Sequence, residues 1–245
     1  MNPILLVSVY FGGVLAGIVN TLAGGGSMIT LPLLMLLGLP ADIANATNRV
    51  AIFLQNAVAV RSFEKKGVRT FKIAIPLGLF AAAGAIVGSF IAVDLDKEVL
   101  GRVISVVLLI MMYFVVKKPK IGKNKAIVNS FYMKGIAFFL LGIYGGFIQA
   151  GIGFLLIAAI TFFLGTDLLK TNAIKVGIVL IYTTTSLIVF LSKGMVNIPV
   201  GLLLALGNMT GAYIAVRLAL KKGLKFIKLV LIVVVVANAI KTFFF

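Results

Sequence analysis

Arg49 and Lys175 stand about eight residues inside apolar stretches, in the related settings NATNRV and TNAIKV. At 1.5 Å per residue that is roughly 12 Å into a membrane segment. An unpaired cation at such depth costs at least ~2.5–3.5 kcal/mol, so each needs a partner. The chain offers few carboxylates: Asp42 and Asp167 fall at the ends of apolar stretches, and Glu64 lies in a basic loop. Two readings follow. A permeating anion can serve as counter-ion, or the side chains can snorkel or bind backbone carbonyls at a helix break. Neutral groups suited to a dehydrated oxyanion lie beside them. Asn45 and Asn48 bracket Thr47 ahead of Arg49, and Thr171 and Asn172 precede Lys175. Gln55, Asn56 and the run Thr183, Thr184, Thr185, Ser186 serve equally well as polar glue between helices.

Glycines supply the second element of the pattern. Asn20 lies one turn before Gly24 in the break LAGGGSMITLP, and Gln149 directly precedes the degenerate counterpart AGIGF. Glycine in a membrane helix often means close packing or a kink. Here Gly24, Gly25 and Gly26 are followed by Ser27, a residue suited to capping a helix over 28–38, and Gly151 and Gly153 precede a second short piece, 154–165. These pieces reach roughly 17 Å, about half the hydrocarbon core, so they read as half-helices returning from the membrane interior. Unwound backbone at that depth is tolerated only against protein or a wet cavity. The N-terminus of such a helix presents free N–H groups and a positive dipole end, which favours an anion. The candidate substrate-binding set is therefore Asn20, Gly24, Gly25, Gly26, Ser27, Asn45, Asn48, Arg49, Gln149, Gly151, Gly153, Thr171, Asn172 and Lys175.

The elements that must position these residues follow from composition. The chain is 62% hydrophobic and 12% charged, with apolar stretches of about twenty residues along its whole length. Spans are expected near 41–61, 73–93 and 99–116 after a first segment at 3–22, and near 168–191, 197–216 and 224–243 after a segment at 132–150. The two sets repeat. GLFAAAGAIVGSFIA from Gly78 matches GLLLALGNMTGAYIA from Gly201 at an offset of 123, and Arg49-Val50 matches Lys175-Val176. Gly84-x3-Gly88 and Gly207-x3-Gly211 read as faces for close helix crossing, and Pro76 and Pro199 as first-turn prolines.

The expected fold is an all-α polytopic membrane protein built as an inverted repeat, each half a broken-helix hairpin plus three transmembrane helices. Residues 1–117 form the first repeat, 118–131 a basic cytoplasmic linker, and 132–245 the second, inverted repeat. Paired repeats with interrupted hydrophobic segments mark secondary transporters whose site lies between the halves. The charges agree with this count. Loops 61–72 and 217–228 and the linker carry most of the Lys and Arg, while the turn 94–98 is acidic and the turn 192–197 has only Lys193. The positive-inside rule then puts the basic loops in the cytoplasm and both termini outside a multi-pass cell-membrane protein.

Other classes find little support. The net charge of +17 sits in loops and at span ends, where topology and anionic headgroups place it, so it does not point to nucleic acid. The segment from Asn2 to Leu22 lacks a basic leader region and runs into further apolar spans, unlike a signal peptide. With no cysteine and no histidine, the chain lacks thiolate ligands, disulfides and the usual proton shuttle. No cofactor or metal site is expected. No serine–histidine or paired-carboxylate constellation suggests an enzyme.

The run GIVNTLAGGGSMITLPLLMLLGLPADIANATNRVA, with its PxxxG…GxxxGxxxA patterns, resembles the TauE/SafE family of sulfite and organosulfonate exporters. The resemblance covers essentially the whole chain, although the second break is here reduced to AGIGF. It implies a prokaryotic permease exporting sulfite or a small sulfonate such as sulfoacetate. An anion channel, or a transporter of another small anion such as a carboxylate, is the alternative. The partners are then the anion and the lipid bilayer, and the sequence leaves a homo-oligomer open.

Overall fold

The computed structural model describes the backbone of residues 3–116 and 130–244, and the side chains of residues 6–107 and 130–221. Among these residues the secondary structure is entirely helical. The first half contributes α1 (Pro3–Leu22), α2 (Ser27–Leu36), α3 (Ala41–Lys65), α4 (Phe71–Asp94) and α5 (Lys97–Val116). The second contributes α6 (Phe131–Phe147), α7 (Ile152–Leu164), α8 (Leu168–Ser192) and α9 (Ile198–Phe244). The breaks fall where glycines interrupt the apolar runs. With 10 and 13 residues, α2 and α7 reach about 15 and 20 Å, the lengths of half-spans.

Local chemistry sets the other boundaries. Asp167 caps α8, its carboxylate accepting from the N–H of Leu169 at 2.9 Å and of Lys170 at 3.0 Å. Glu64 does the same for α4 from across the preceding turn, accepting from Thr70 N–H at 2.9 Å and Phe71 N–H at 3.0 Å. The acid of the basic loop 61–72 is thus taken up by a helix start. Among the described residues, three helices are long and apolar enough to cross a membrane: Phe71–Asp94, Leu168–Ser192 and the Ile198–Lys221 part of α9. Of equal length to α8, α3 fails that test because it buries Asn45, Thr47, Asn48, Arg49, Gln55 and Asn56. It is an interior helix, and its polar residues face protein.

Small residues decide which helices touch. Against α9, Gly13 and Gly17 of α1 meet Gly207 and Gly211 so closely that a methyl group at any of them would overlap the opposing backbone. Between α4 and α6, methyl groups on Gly84 and Gly88 would overlap the Phe139 and Ile143 carbonyls, and methyl groups on Gly142 and Gly146 those of Ala81 and Ala85. Both motif pairs expected as crossing faces are therefore crossing faces, and each facing helix brings a glycine pair of its own. The partners are notable. Each crossing joins a helix of the first half to one of the second, and α3 and α8 pack between them, α3 on α9 and α8 on α4. Outward-facing Phe11, Leu15, Leu79, Ile136 and Leu206 give the bundle an apolar exterior.

Three expectations change. The basic stretch 217–228 is helical rather than a loop, and the span expected at 224–243 continues the same α9. RLALKKGLKF holds no proline and one glycine among strong helix formers, so charge alone does not end the helix. Pro76 lies inside α4 rather than in its first turn, because α4 starts at Phe71, where Glu64 caps it. Pro199 does fall in the first turn of α9. The linker 118–131 lies outside the described residues except for Ser130, whose hydroxyl caps α6, and Phe131.

Candidate functional site

The two helix breaks are in contact. After α1, the N–H groups of Ala23 and Gly24 both turn back to the Val19 carbonyl, at 2.7 and 3.0 Å. Gly24 then takes φ +88°, a left-handed conformation that only glycine adopts without strain. In the second break Gly151 caps α7 with φ +73°. Gly24 lies directly against the backbone of Gly153, with no room for a methyl group on either residue, and Gly25 packs on the Phe154 ring. The N-termini of α2 and α7 are thereby brought together. Among the described residues, the backbone N–H groups of Gly25, Gly26 and Ser27 on one side, and of Ile152 and Gly153 on the other, have no hydrogen-bond partner. Ser27 is not the cap that its position suggested. Gly26 is, and Ser27 is the first helical residue, its Oγ accepting from Asn48 Nδ2 at 3.3 Å. Gly26 already has helical dihedrals, φ −60° and ψ −33°, and the Ser27 hydroxyl one residue on faces α3.

Arg49 and Lys175 are fully buried and are held by backbone. The Arg49 guanidinium donates to Gly145 O at 2.6 Å and Gly146 O at 2.8 Å, with longer contacts of 3.4 Å to Phe147 O and Asn45 Oδ1. It lies 5.1 Å from the Phe190 ring centroid, and its Nε has no partner among the described residues. The Lys175 ammonium donates to Asn20 O and Thr21 O at 2.9 Å each and to Asn172 Oδ1 at 2.8 Å. Each cation therefore satisfies the orphan carbonyls, and meets the negative dipole end, of the helix that precedes a break: α6 for Arg49, α1 for Lys175. Of the two readings of these residues, contact with carbonyls at a helix break is the one present here. Both contacts cross between the halves, from α3 to α6 and from α8 to α1.

A small cavity lies on the α8 side of the breaks. Asn20, Asn56, Gln149, Ile152, Gly153, Lys175, Val179 and Tyr182 line it. Its room for the centre of a water-sized sphere is ≈ 10 Å³, about enough for one water. Of the fourteen expected site residues, Asn20, Gln149, Gly153 and Lys175 meet here. Gly24 to Gly26 and Gly151 form the breaks beside it, and Asn172 holds Lys175. On the opposite side, Ser27, Thr30 and Asn48 form one cluster, with Thr30 Oγ1 donating to Asn48 Oδ1 at 2.7 Å. Asn45 donates to Phe147 O at 2.9 Å, next to the carbonyls that Arg49 holds. Thr171 is turned away, its hydroxyl 2.7 Å from that of Thr166 at the start of α8.

Several residues of the site escaped the sequence. Tyr182 accepts from Gln149 Nε2 at 3.2 Å, and Thr183 accepts from the same nitrogen at 2.9 Å. Gln55 is a hub, its Oε1 accepting from Asn20 Nδ2 at 3.2 Å and Asn208 Nδ2 at 3.3 Å. Polar glue describes Gln55 well, but it is glue applied to Asn20 itself. Asn208 sits inside the Gly207-x3-Gly211 motif, where the glycine spacing drew the attention. The one available signal for Tyr182 was its place beside the threonine run on the Lys175 helix.

Comparison with known proteins bears on the whole chain. The family model described as sulfite exporter TauE/SafE matches residues 9–242. The probable membrane transporter protein ORF9 of Sinorhizobium sp is 30% identical over 239 residues, which cover 97% of this chain and 92% of that protein. The probable membrane transporter protein YfcA of Escherichia coli K12 is 27% identical over 243 residues, 96% of this chain and 88% of its own length. A probable membrane transporter protein of Bacillus subtilis, YdhB, is 24% identical over 228 residues. No solved structure matches. With a family model spanning nearly its full length, the chain belongs to the TauE/SafE family.

Proposed function

We propose that this protein is a secondary transporter of the cell membrane that exports a small oxyanion, sulfite or an organosulfonate such as sulfoacetate, by alternating access around a midplane site. In this reading the halves are inverted repeats and the anion sits at the joined helix breaks. The observation that carries the reading is the contact of Gly24 with Gly153, which brings two helix N-termini with unpartnered N–H groups together beside Lys175. Two positive helix ends sharing one buried location favour negative charge. Arg49 and Lys175 add two full positive charges within the same interior. Their donors are engaged by carbonyls, so their first role is to hold α6 and α1 against the breaks. Asn45, Asn48 and Ser27 support the opposite face, and Asn172 orients Lys175.

The small size of the cavity supports a carrier over a channel, since an oxyanion needs the surrounding helices to part. An inside-negative potential drives a monoanion outward by ~2.3 kcal/mol per 100 mV, which suffices for export without a dedicated proton relay. The test is sulfite and sulfoacetate flux in proteoliposomes under an imposed potassium-diffusion potential at equal pH on both faces. Potential-driven, saturable flux with counterflow is expected. Absence of any flux overturns the transporter reading, and non-saturating flux without counterflow replaces the carrier by a channel.

A further inference from the structure

The cavity beside the breaks has an unusual polarity. Three side-chain amides line it: Gln149 spends both its N–H groups on the protein, Asn20 and Asn56 one each. Asn20 donates to Gln55, Asn56 to the Ile52 carbonyl at 2.7 Å, and Gln149 to Tyr182 and Thr183. The three Lys175 donors are taken as well. The amide oxygens remain, together with one N–H each of Asn20 and Asn56. Gln149 Oε1 is buried with no partner, and those of Asn20 and Asn56 accept no hydrogen bond among the described residues. At Asn56 the orientation is fixed, because its nitrogen faces a backbone carbonyl that can only accept. A buried acceptor without a donor costs free energy, and a fully deprotonated oxyanion brings none. The unpartnered N–H groups of Ile152 and Gly153 suit the opposite need, a negative head.

We infer that the cargo is an anion carrying its own hydrogen-bond donor: its negative head meets the N–H groups of the break, and its O–H or N–H meets the amide oxygens of Asn56, Gln149 and Asn20. Hydrogen sulfite, or a short sulfonate bearing a hydroxyl or ammonium group, has this chemistry; the sulfite dianion, doubly ionised sulfoacetate and plain alkyl sulfonates do not, so sulfoacetate drops out of the narrowed reading. The inference rests on the oxyanion-transporter reading and narrows it. In the unloaded protein the cavity has room for one water, whose O–H serves the same acceptor.

The test compares 2-hydroxyethanesulfonate with ethanesulfonate in wild-type proteoliposomes at one imposed potential. A site built to hydrogen-bond a hydroxyl discriminates strongly against the analogue lacking it, so at least a tenfold preference in flux at low concentration is expected, which equals 1.4 kcal/mol. Equal flux of the two overturns this inference and leaves the transporter reading standing. No flux of either sulfonate or of sulfite overturns both. A sulfite arm at fixed total concentration and potential, with pH equal on both faces, separates the protonated from the hydroxylated source. Flux that rises as pH falls follows hydrogen sulfite, whereas flux that follows the dianion contradicts the inference. Asn56→Leu assigns the acceptor: the sulfonate preference falls toward one, and an undiminished preference removes Asn56 from the account. Should that variant fail to elute as a folded protein, Gln149→Met gives the same comparison.

Discussion

At Lys175 three N–H donors meet three acceptors at 2.8 to 2.9 Å, and at Arg49 two carbonyls of one helix end lie within 2.8 Å. No carboxylate takes part in either contact. A helix end supplies what an acid would: several unpaired carbonyls and the negative end of a dipole. The consequence is that the cations hold the structure whether or not an anion is bound. Replacing Lys175 by Met keeps much of the stem's packing but leaves Asn20 O, Thr21 O and Asn172 Oδ1 unpaired. Each buried acceptor so exposed costs ~1–3 kcal/mol and the three are not additive, so we expect a loss of about 3 kcal/mol. Thermal unfolding of the purified variant in detergent without any anion measures it; a wild-type melting temperature would make Lys175 purely a ligand. The sequence located both cations and supplied carbonyl contact as one reading. It could not name the partners, because a carbonyl belongs to every residue and becomes available only where a helix stops. Asn56 stayed undecided between anion contact and polar glue, and Tyr182 unmarked, for a related reason: periodicity and spacing do not reveal which polar side chain of an interior helix faces a void.

The elements were more legible, because glycine and proline interrupt apolar runs at discrete places. The lengths of α2 and α7, and the Gly84-x3-Gly88 and Gly207-x3-Gly211 crossings, follow from spacing alone. The glycines that receive those crossings, Gly142 and Gly146 on α6 and Gly13 and Gly17 on α1, were not marked, since a small-residue face says nothing of its partner. Nor was the end of a helix readable from charge, as the basic stretch of α9 shows. Contact between the breaks carries a prediction at this scale. A methyl group on Gly24 overlaps Gly153 and must also take a left-handed φ; a methyl group on Gly153 overlaps Gly24. Gly24→Ala and Gly153→Ala should each destabilise by about 1–3 kcal/mol, Gly24→Ala more because backbone strain adds to the overlap. Residues that share a contact are coupled, so the double variant should fall short of the sum by at least 0.5 kcal/mol. Strict additivity in denaturant or thermal unfolding would show that the breaks do not touch in the folded protein.

For the molecule as a whole, the packing redraws the units that can move. Two halves in sequence suggest two bodies rocking against each other, but the glycine crossings tie α1 to α9 and α4 to α6, across the halves. The resulting bundles, α1 with α9 and α3, and α4 with α6 and α8, meet where α3 faces α8. Everything expected to respond to cargo lies on that seam: both breaks, the Arg49 contact with α6 and the Lys175 contact with α1. Close glycine packing inside each bundle resists sliding, whereas the seam joins the Arg49 and Lys175 contacts to side-chain packing, Ala59 and Phe63 of α3 against Ala173 and Val176 of α8, that can repack. Each bundle should therefore move as one body. Ser89 on α4 and Ser186 on α8 test this, since their hydroxyl oxygens are 2.7 Å apart and Ser89 also reaches Gly146 O on α6 at 3.3 Å. Neither side chain lines the cavity. The chain has no cysteine of its own, so Ser89→Cys with Ser186→Cys gives a single pair that a mild oxidant can close. With the bond formed, as read by loss of thiol labelling, anion flux should stay within about twofold of the reduced protein. That range is less than 0.5 kcal/mol in barrier, by the tenfold-per-1.4 kcal/mol scale. A tenfold or greater fall in flux, reversed by dithiothreitol, would mean that α4 and α8 move apart during transport and that the bundles drawn from the glycine crossings are not the moving bodies.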